Sequence, residues 1–204
     1  MAAQEDCRER LIDATLDLCT RCGFEVTTVD QIAAAADVTP ADFACYFATK
    51  DAVLLSIVED LIQASAAALG DVEAGANPEQ ALLIATAAVI TAITEGRGVI
   101  TQDRMIAMAE IVTKNSDLRK QASLARKRVL TRALADRMGV APGDHRVRQA
   151  VTRWSAIAAG AYVGAGSMGA HYDPRHDDQL VERGIAELTA NYADVMGDDP
   201  SQPN

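Results

Sequence analysis

Apolar residues recur along this chain at intervals of three and four, the period of a helix that buries one face. Between Arg8 and Cys22 the stripe is Leu11, Thr15 through its methyl, Leu18 and Cys22, widened by Ile12, Leu16 and Cys19, and Gly23 stops it. Thr28-Val29-Asp30-Gln31 reads as a capping box, the threonine accepting from the backbone three residues on and Gln31 reaching back. It opens a short helix, Val29 to Ala36, with small inward positions at Ile32, Ala33 and Ala36. Asp37-Val38 predict a turn. Thr39 is a second cap, Pro40 takes the first helical position, where its missing N–H costs nothing, and Asp42 repeats the box as a carboxylate. This helix is predicted to run about to Phe47, and Thr49-Lys50-Asp51 to break and restart it. Three helices within about fifty residues, the last two short and joined by a tight turn, make a helix-turn-helix unit.

Longer helical patterns follow. They are predicted from Asp51 to Leu69, from Pro78 to about Thr94 with Gly96-Arg97-Gly98 closing, from Thr101 to Thr113, and from Asp117, capped by Ser116, to Met138. Beyond Pro142-Gly143-Asp144 a long, small-residue helix reaches about Gly169, and a last helix runs from about Asp177 to Met196. The fold class predicted is all-α. Residues 1–50 form the helix-turn-helix domain with its motif at about 28–47, residues 51–197 a larger helical domain, and residues 198–204 a disordered polar tail.

Composition supports this reading. Hydrophobic residues are 49% and charged residues 24%, an ordinary globular balance, and aromatics are only 4% in an alanine-rich background that favours helix over strand. No run approaches ~20 uninterrupted apolar residues, so no membrane partner is expected. Met1 to Arg10 is polar, without the apolar core of a secretion signal, which predicts a cytoplasmic protein with reduced thiols. The net charge of −10 has the wrong sign for a binder of nucleic acid, whose affinity comes largely from phosphate contacts.

Candidate chemistry is sparse. Cys19-Thr20-Arg21-Cys22 has the spacing of a redox motif but no βαβ unit follows it, and helical geometry scatters Cys7, Cys19, Cys22 and Cys45 too widely for a zinc site. His145, His171 and His176 show no metal spacing, and no nucleophile elbow, Gly-rich phosphate loop or paired-carboxylate site is present. The reading is therefore of a non-enzyme with no cofactor and no metal. From Asp117 to Met138 seven basic residues stand against two acidic ones. That run is either a solvated face opposite Leu118, Ala122, Ala125, Val129 and Ala133, or a mouth that attracts an anion such as a phosphate-bearing acyl-CoA.

The stretch Cys22-Gly23-Phe24 through Thr27-Thr28, Ile32-Ala33, Val38-Thr39-Pro40, Phe43, Tyr46-Phe47, Lys50-Asp51 and Leu54 resembles the DNA-binding domain of TetR-type regulators. The resemblance covers roughly residues 8–60. It implies that Thr28 and Thr39 hold phosphates at helix starts, Tyr46 offers its hydroxyl to the DNA backbone and Lys50 pairs with a phosphate, while Pro40, Ala41, Asp42, Ala44 and Cys45 face base edges in the major groove. A thiol at Cys45 would then be exposed to oxidants on the reading helix. The chain departs from the family at Ala44, where a tyrosine is common, and at Asp42, where a carboxylate repels phosphate unless it caps its own helix or accepts from cytosine. Residues 1–50 also carry four basic residues against nine acidic ones.

The resemblance further implies that the C-terminal helices bind a ligand and dimerise. The glycines at 160, 164, 166 and 169 let another helix approach closely, so the dimer interface is expected at Trp154, Ile157, Ala161, Ala165 and Met168 with Ile185, Leu188 and Tyr192. A ligand pocket is expected among Ile90, Ile93, Met105, Met108 and Tyr162. The function implied is a homodimeric, ligand-responsive transcriptional regulator. It would be a repressor released from double-stranded operator DNA when a small, largely apolar effector moves the 51–69 helix and changes the spacing of the two heads. The alternative is a relative with weakened DNA binding that acts through a partner protein.

Overall fold

The computed structural model describes residues 2–166 and 180–197, with side chains over 6–158 and 182–197. In chain order the helices are α1 (Ala2–Cys22), α2 (Val29–Ala35), α3 (Pro40–Tyr46), α4 (Lys50–Ala68), α5 (Pro78–Thr94), α6 (Gln102–Lys114), α7 (Ser116–Met138), α8 (His145–Gly166) and α9 (Leu180–Met196), with a 3-10 turn at Leu69–Asp71 after α4. Among the described residues there is no strand, and the fold is all-α, with an N-terminal helix-turn-helix and a larger set of helices after it.

The chain divides into two compact units. The first comprises Met1–Asp60 together with Ile100–Ala122, so α6 and the start of α7 pack with the N-terminal helices. Here α1 lies against α2 and α6, and α2 against α3. Leu11, Ile12, Ile32, Ala33, Phe43, Phe47, Val53 and Leu54 are buried together. Each large one contributes ~1.5–3 kcal/mol by leaving water. Phe43 and Phe47 meet at a tilt, centroids 6.0 Å apart. Two polar ties hold the 100–122 segment: Arg104 on α6 donates to Asp13 at 2.7 Å and also to Glu9, both on α1, and Asn115 Nδ2 donates to Glu25 Oε1 at 2.7 Å. The carboxylate of Asp13, then that of Glu9, makes the Arg104 guanidinium hold its proton more tightly against the opposing effect of burial.

The second unit comprises Leu61–Val99 and Ser123–Asn204. In it α8 packs along α9, and α5 packs on both. Trp154 (2% exposed), Ile157 (0%) and Leu188 (6%) lie inside this packing. The sequence reading expects these three at a dimer interface; within the single chain they are buried where α8 and α9 pack. Glu79, at the buried first turn of α5, pairs with Arg153 on α8 at 3.4 Å. Arg137 donates to the carbonyls of Leu69 (2.7 Å), Val72 (3.0 Å) and Glu73 (2.6 Å), satisfying the chain where α4 has ended.

The starts of α5 and α6 are capped by side chains. Asn77 precedes Pro78 and accepts from Gln80 N–H at 2.8 Å, and Thr101 accepts from Arg104 N–H. The cap of α7 is a correction. Asn115, not Ser116, accepts from the N–H groups of Asp117 and Leu118, each at 3.0 Å, because Ser116 is already the first residue of the helix and Asn115 is the one that precedes it. The segment Pro40–Asp71 is apolar enough by composition to cross a membrane. Extended backbone at Phe47 interrupts it, and Val53, Leu54, Ile57 and Val58 are buried. The expected ends of the α8 pattern near Gly169 and the α9 pattern near Asp177, and the 198–204 tail, lie outside the described residues.

Candidate nucleic-acid interface

Each of the two short helices of the motif is capped at its start by side chains. Thr28 has extended backbone (φ −110°, ψ 158°) and its Oγ1 accepts from Gln31 N–H at 3.2 Å, while Thr28 N–H donates to Gln31 Oε1 at 2.9 Å. At Thr39 the same reciprocal pair forms with Asp42: Asp42 N–H to Thr39 Oγ1 at 3.1 Å and Thr39 N–H to Asp42 Oδ2 at 3.0 Å. The Thr39 hydroxyl also donates to Asp42 Oδ2 at 2.7 Å. Each box contributes ~1 kcal/mol to a helix too short to form alone. The hydroxyl and the backbone N–H of Thr39 together hold the Asp42 carboxyl below its ordinary range, so it remains ionised. Asp42 thus caps its own helix, one of the two roles that make a carboxylate tolerable beside phosphate.

Between the boxes, α2 ends in a reversal. Asp37 adopts φ +55°, Asp37 N–H donates to Ala34 O at 3.2 Å and Val38 N–H to Ala33 O at 3.0 Å. These paired bonds with a left-handed residue form a Schellman ending, here on an aspartate instead of the usual glycine. From α1, Arg10 adds a bond to Ala36 O at 2.9 Å.

The turn sets α3 so that only its underside is anchored. Phe43 is 1% exposed, whereas Pro40, Ala41, Asp42, Ala44 and Cys45 are all exposed and Tyr46 is half-buried. The outward row is small and nearly smooth, with Asp42 as its one charge. Loss of solvent, then the neighbouring Cys7 thiol, pushes the Tyr46 phenol up, so its hydroxyl stays neutral and able to donate. Cys45 Sγ lies 3.3 Å from Ala41 O, and none of the four cysteines is bridged.

Lys50 does something other than the expected phosphate pairing. From the first turn of α4 its Nζ donates to the carbonyls of Phe24, Thr27 (2.9 Å) and Glu25 (3.4 Å), and it sits over the Phe24 ring, 4.3 Å from the centroid. The ammonium is a latch on the α1–α2 loop that delivers Thr28 to its cap, and its three donors are all engaged. Sequence reasoning missed this role, and likewise the partnership of Arg10 with Ala36. The signal available, a basic residue about 26 positions from the carbonyl it meets in each case, carries no period that a sequence could show.

The expected pocket residues fall in different units: Ile90, half-buried, and Ile93, buried, on α5 of the second; Met105, half-buried, and Met108, buried, on α6 of the first. Of the expected interface residues, Ile185 and Tyr192 are half-buried on α9, where Tyr192 OH meets Asn77 Nδ2 at 3.4 Å. Ala161, Tyr162 and Ala165 are placed on α8 by their backbone alone, and Met168 lies outside the described residues.

Residues 11–57, which include this motif, match the family described as bacterial regulatory proteins, tetR family. The HTH-type transcriptional regulator TcmR of Streptomyces glaucescens is 40% identical over 89 residues, which is 44% of this chain and 39% of TcmR, so the chain matches about two fifths of that relative's length. Among solved structures, SmeT, the repressor of the Stenotrophomonas maltophilia multidrug efflux pump SmeDEF, aligns over 93% of this chain and 91% of its own with a TM-score of 0.57 at 21% identity. Thermus thermophilus FadR, a repressor solved with lauroyl-CoA, aligns over 97% and 99% with a TM-score of 0.52 at 21% identity. At that identity the two structures speak for the fold alone. The capped helix pair lies within the span that matches the tetR family of bacterial regulatory proteins, and the all-helical architecture is shared with SmeT and FadR.

Proposed function

We propose that the chain is a ligand-responsive DNA-binding transcriptional regulator, a homodimeric repressor that leaves double-stranded operator DNA when a small, largely apolar molecule binds. The observation that carries the reading is α3, capped at its start, anchored by buried Phe43 and exposed along Pro40, Ala41, Ala44 and Cys45. A helix held by one side, with small residues on the other, is suited to lie in a major groove. The TcmR name supports a regulator; SmeT and FadR share the fold, and because they are repressors and FadR was solved with lauroyl-CoA, repression and an apolar effector are the form of regulation we propose to test. Ile90 on α5 is the residue we assign to effector contact. We place the contact between protomers on the surface of α8 and α9 that carries Ile185, Tyr192 and the exposed Val195. No chemistry is assigned to the chain.

The test is titration of the purified protein with DNA from its own promoter region across a salt series. Saturable binding that resists competitor DNA, and that Ala44→Glu abolishes without lowering the melting temperature, is expected. Absence of preference for any fragment of the source genome at low salt overturns the reading. One observation favours the second reading, action through a partner protein: the N-terminal fifty residues hold four basic against nine acidic side chains.

A further inference from the structure

The acidic N-terminal region has few cations to offer a phosphate backbone, and most are engaged. Arg8 pairs with Glu9 and Asp60 and lies over the Phe47 ring, Arg10 bonds Ala36 O, and Lys50 bonds the α1–α2 loop. Arg21 is in an exposed pair with Asp17. The first compact unit nevertheless contains a second source of positive charge, brought in from far along the chain. Where α6 meets α7, Lys114, Arg119 and Lys120 gather with Asp117 as the one acid between them. All three basic residues are exposed, the two lysine side chains 74% and 73%.

This corner is fixed to the motif. Asn115, the cap of α7, sits between the lysines and donates to Glu25 at 2.7 Å. Glu25 is in the α1–α2 loop three residues before Thr28, a span of at most ~11 Å of chain. Lys50 grips the same loop through its carbonyls. We propose that the Lys114–Arg119–Lys120 corner binds the phosphate backbone of double-stranded DNA beside the contact made by α2 and α3, extending the footprint outward and offsetting the acidic character of residues 1–50. The inference rests on the DNA-binding reading above.

The present partners of these cations do not oppose it. Lys114 pairs with Glu110 and Lys120 with Asp117, both exposed pairs within one or two helical turns, of the kind that contributes little in water. A phosphate displaces them readily, and release of condensed counterions supplies the drive. Arg119 spends one N–H on Thr113 O at the end of α6 and keeps further donors.

The experiment uses full-length protein and a duplex selected by the wild-type protein from a random-sequence pool, in two lengths: the selected core alone, and the core with about eight base pairs of arbitrary sequence on each side. Lys114→Gln/Lys120→Gln leaves Arg119 and the α6 end intact, and circular dichroism and melting check that it folds as the wild type does. Each phosphate neutralised contributes ~0.9 to the slope of log K against log salt. The double variant is expected to lose about 1.8 per protomer from that slope on the long duplex, about 3.6 for the homodimer, so that between 50 and 200 mM salt the wild type loses about 150-fold more affinity than the variant. Restoring charge with Lys114→Arg/Lys120→Arg should restore the slope. On the short duplex the two proteins should converge. Equal slopes for wild type and variant on the long duplex overturn the proposal while leaving DNA binding intact. Selection that yields no bound duplex overturns the DNA-binding reading, and this proposal with it.

Discussion

Lys50→Met separates two roles for one residue. Methionine keeps the length and apolar stem of lysine and removes the ammonium. The carbonyls of Phe24 and Thr27, both part-buried, lose a charged donor, while that of Glu25, exposed, is taken over by water. Partial solvent access sets each of the first two below the ~1.5–3 kcal/mol of a well-buried bond from a charged donor, at ~1 kcal/mol. The contact over the Phe24 ring at 4.3 Å contributes a further ~0.5–1 kcal/mol. The sum is ~2–3 kcal/mol of local stability, which for a chain of this length corresponds to a melting temperature lowered by roughly 4–12 °C if unfolding is cooperative. DNA affinity should fall by a similar factor at every salt concentration, because the loop that presents Thr28 loosens and no ion contact is lost. Thermal melting by circular dichroism and a salt-series titration read both quantities on one sample. An unchanged melting temperature with a salt slope reduced by ~0.9 would refute the latch and return Lys50 to the phosphate.

Other expectations follow from single positions. Asp37→Gly relieves a left-handed aspartate at φ +55° in the turn and should stabilise by ~0.5 kcal/mol, a rise of about 1–2 °C; a fall would show that the aspartate side chain supports the turn. Gly98→Ala places a Cβ 2.3 Å from Ile93 Cγ1 and 2.7 Å from its Cα, against a residue only 2% exposed, and should cost ~1–3 kcal/mol as a lowered urea midpoint; an unchanged midpoint would mean that this loop moves freely off α5. Asp144 accepts from the guanidinium and then the N–H of Arg146 at the start of α8, which hold its carboxyl at about 2 against 3.8. A depressed folded value stabilises fully above the unfolded value and is lost as pH falls from about 4 through about 2. Asp144→Asn should therefore lower the urea midpoint at pH 7 and converge with wild type near pH 2; a constant difference would assign its role to shape alone.

What was legible in the sequence was what short-range chemistry decides. Thr28 with Gln31, and Thr39 with Pro40 and Asp42, mark both motif helices because a capping box is complete within four residues. The outward row on α3 was implied by the family resemblance, and the structure leaves those five residues exposed while Phe43 is buried. Roles that depend on long-range partners were not legible. Lys50 had the family position of a phosphate contact, and only the folded loop shows three carbonyls converging on it. Trp154, Ile157 and Leu188 have the apolar character of an interface, and an interface and a core are built from the same residue types. Which of the two they form depends on whether α9 comes from the same chain, a question of topology that periodicity cannot address. Ser116 and Asn115 are both good caps, and the choice between adjacent ones turned on which oxygen reaches two N–H groups.

The first compact unit is not contiguous: the chain leaves it at Asp60, makes the excursion Leu61–Val99, and returns for Ile100–Ala122. Closing an excursion of that length costs on the order of 3 kcal/mol of chain entropy. During synthesis, at roughly 5–20 residues per second, the N-terminal helices wait roughly 3–12 s for α6 to emerge. The face of α1 that α6 covers, with Glu9 and Asp13 still lacking Arg104, is exposed to solvent and chaperones through that interval. A fragment cut at residue 60 reproduces this unfinished state permanently. It should give poorly dispersed amide resonances where a fragment ending at residue 122 gives dispersed ones, and equal dispersion would show that the N-terminal helices stand without their returning segment.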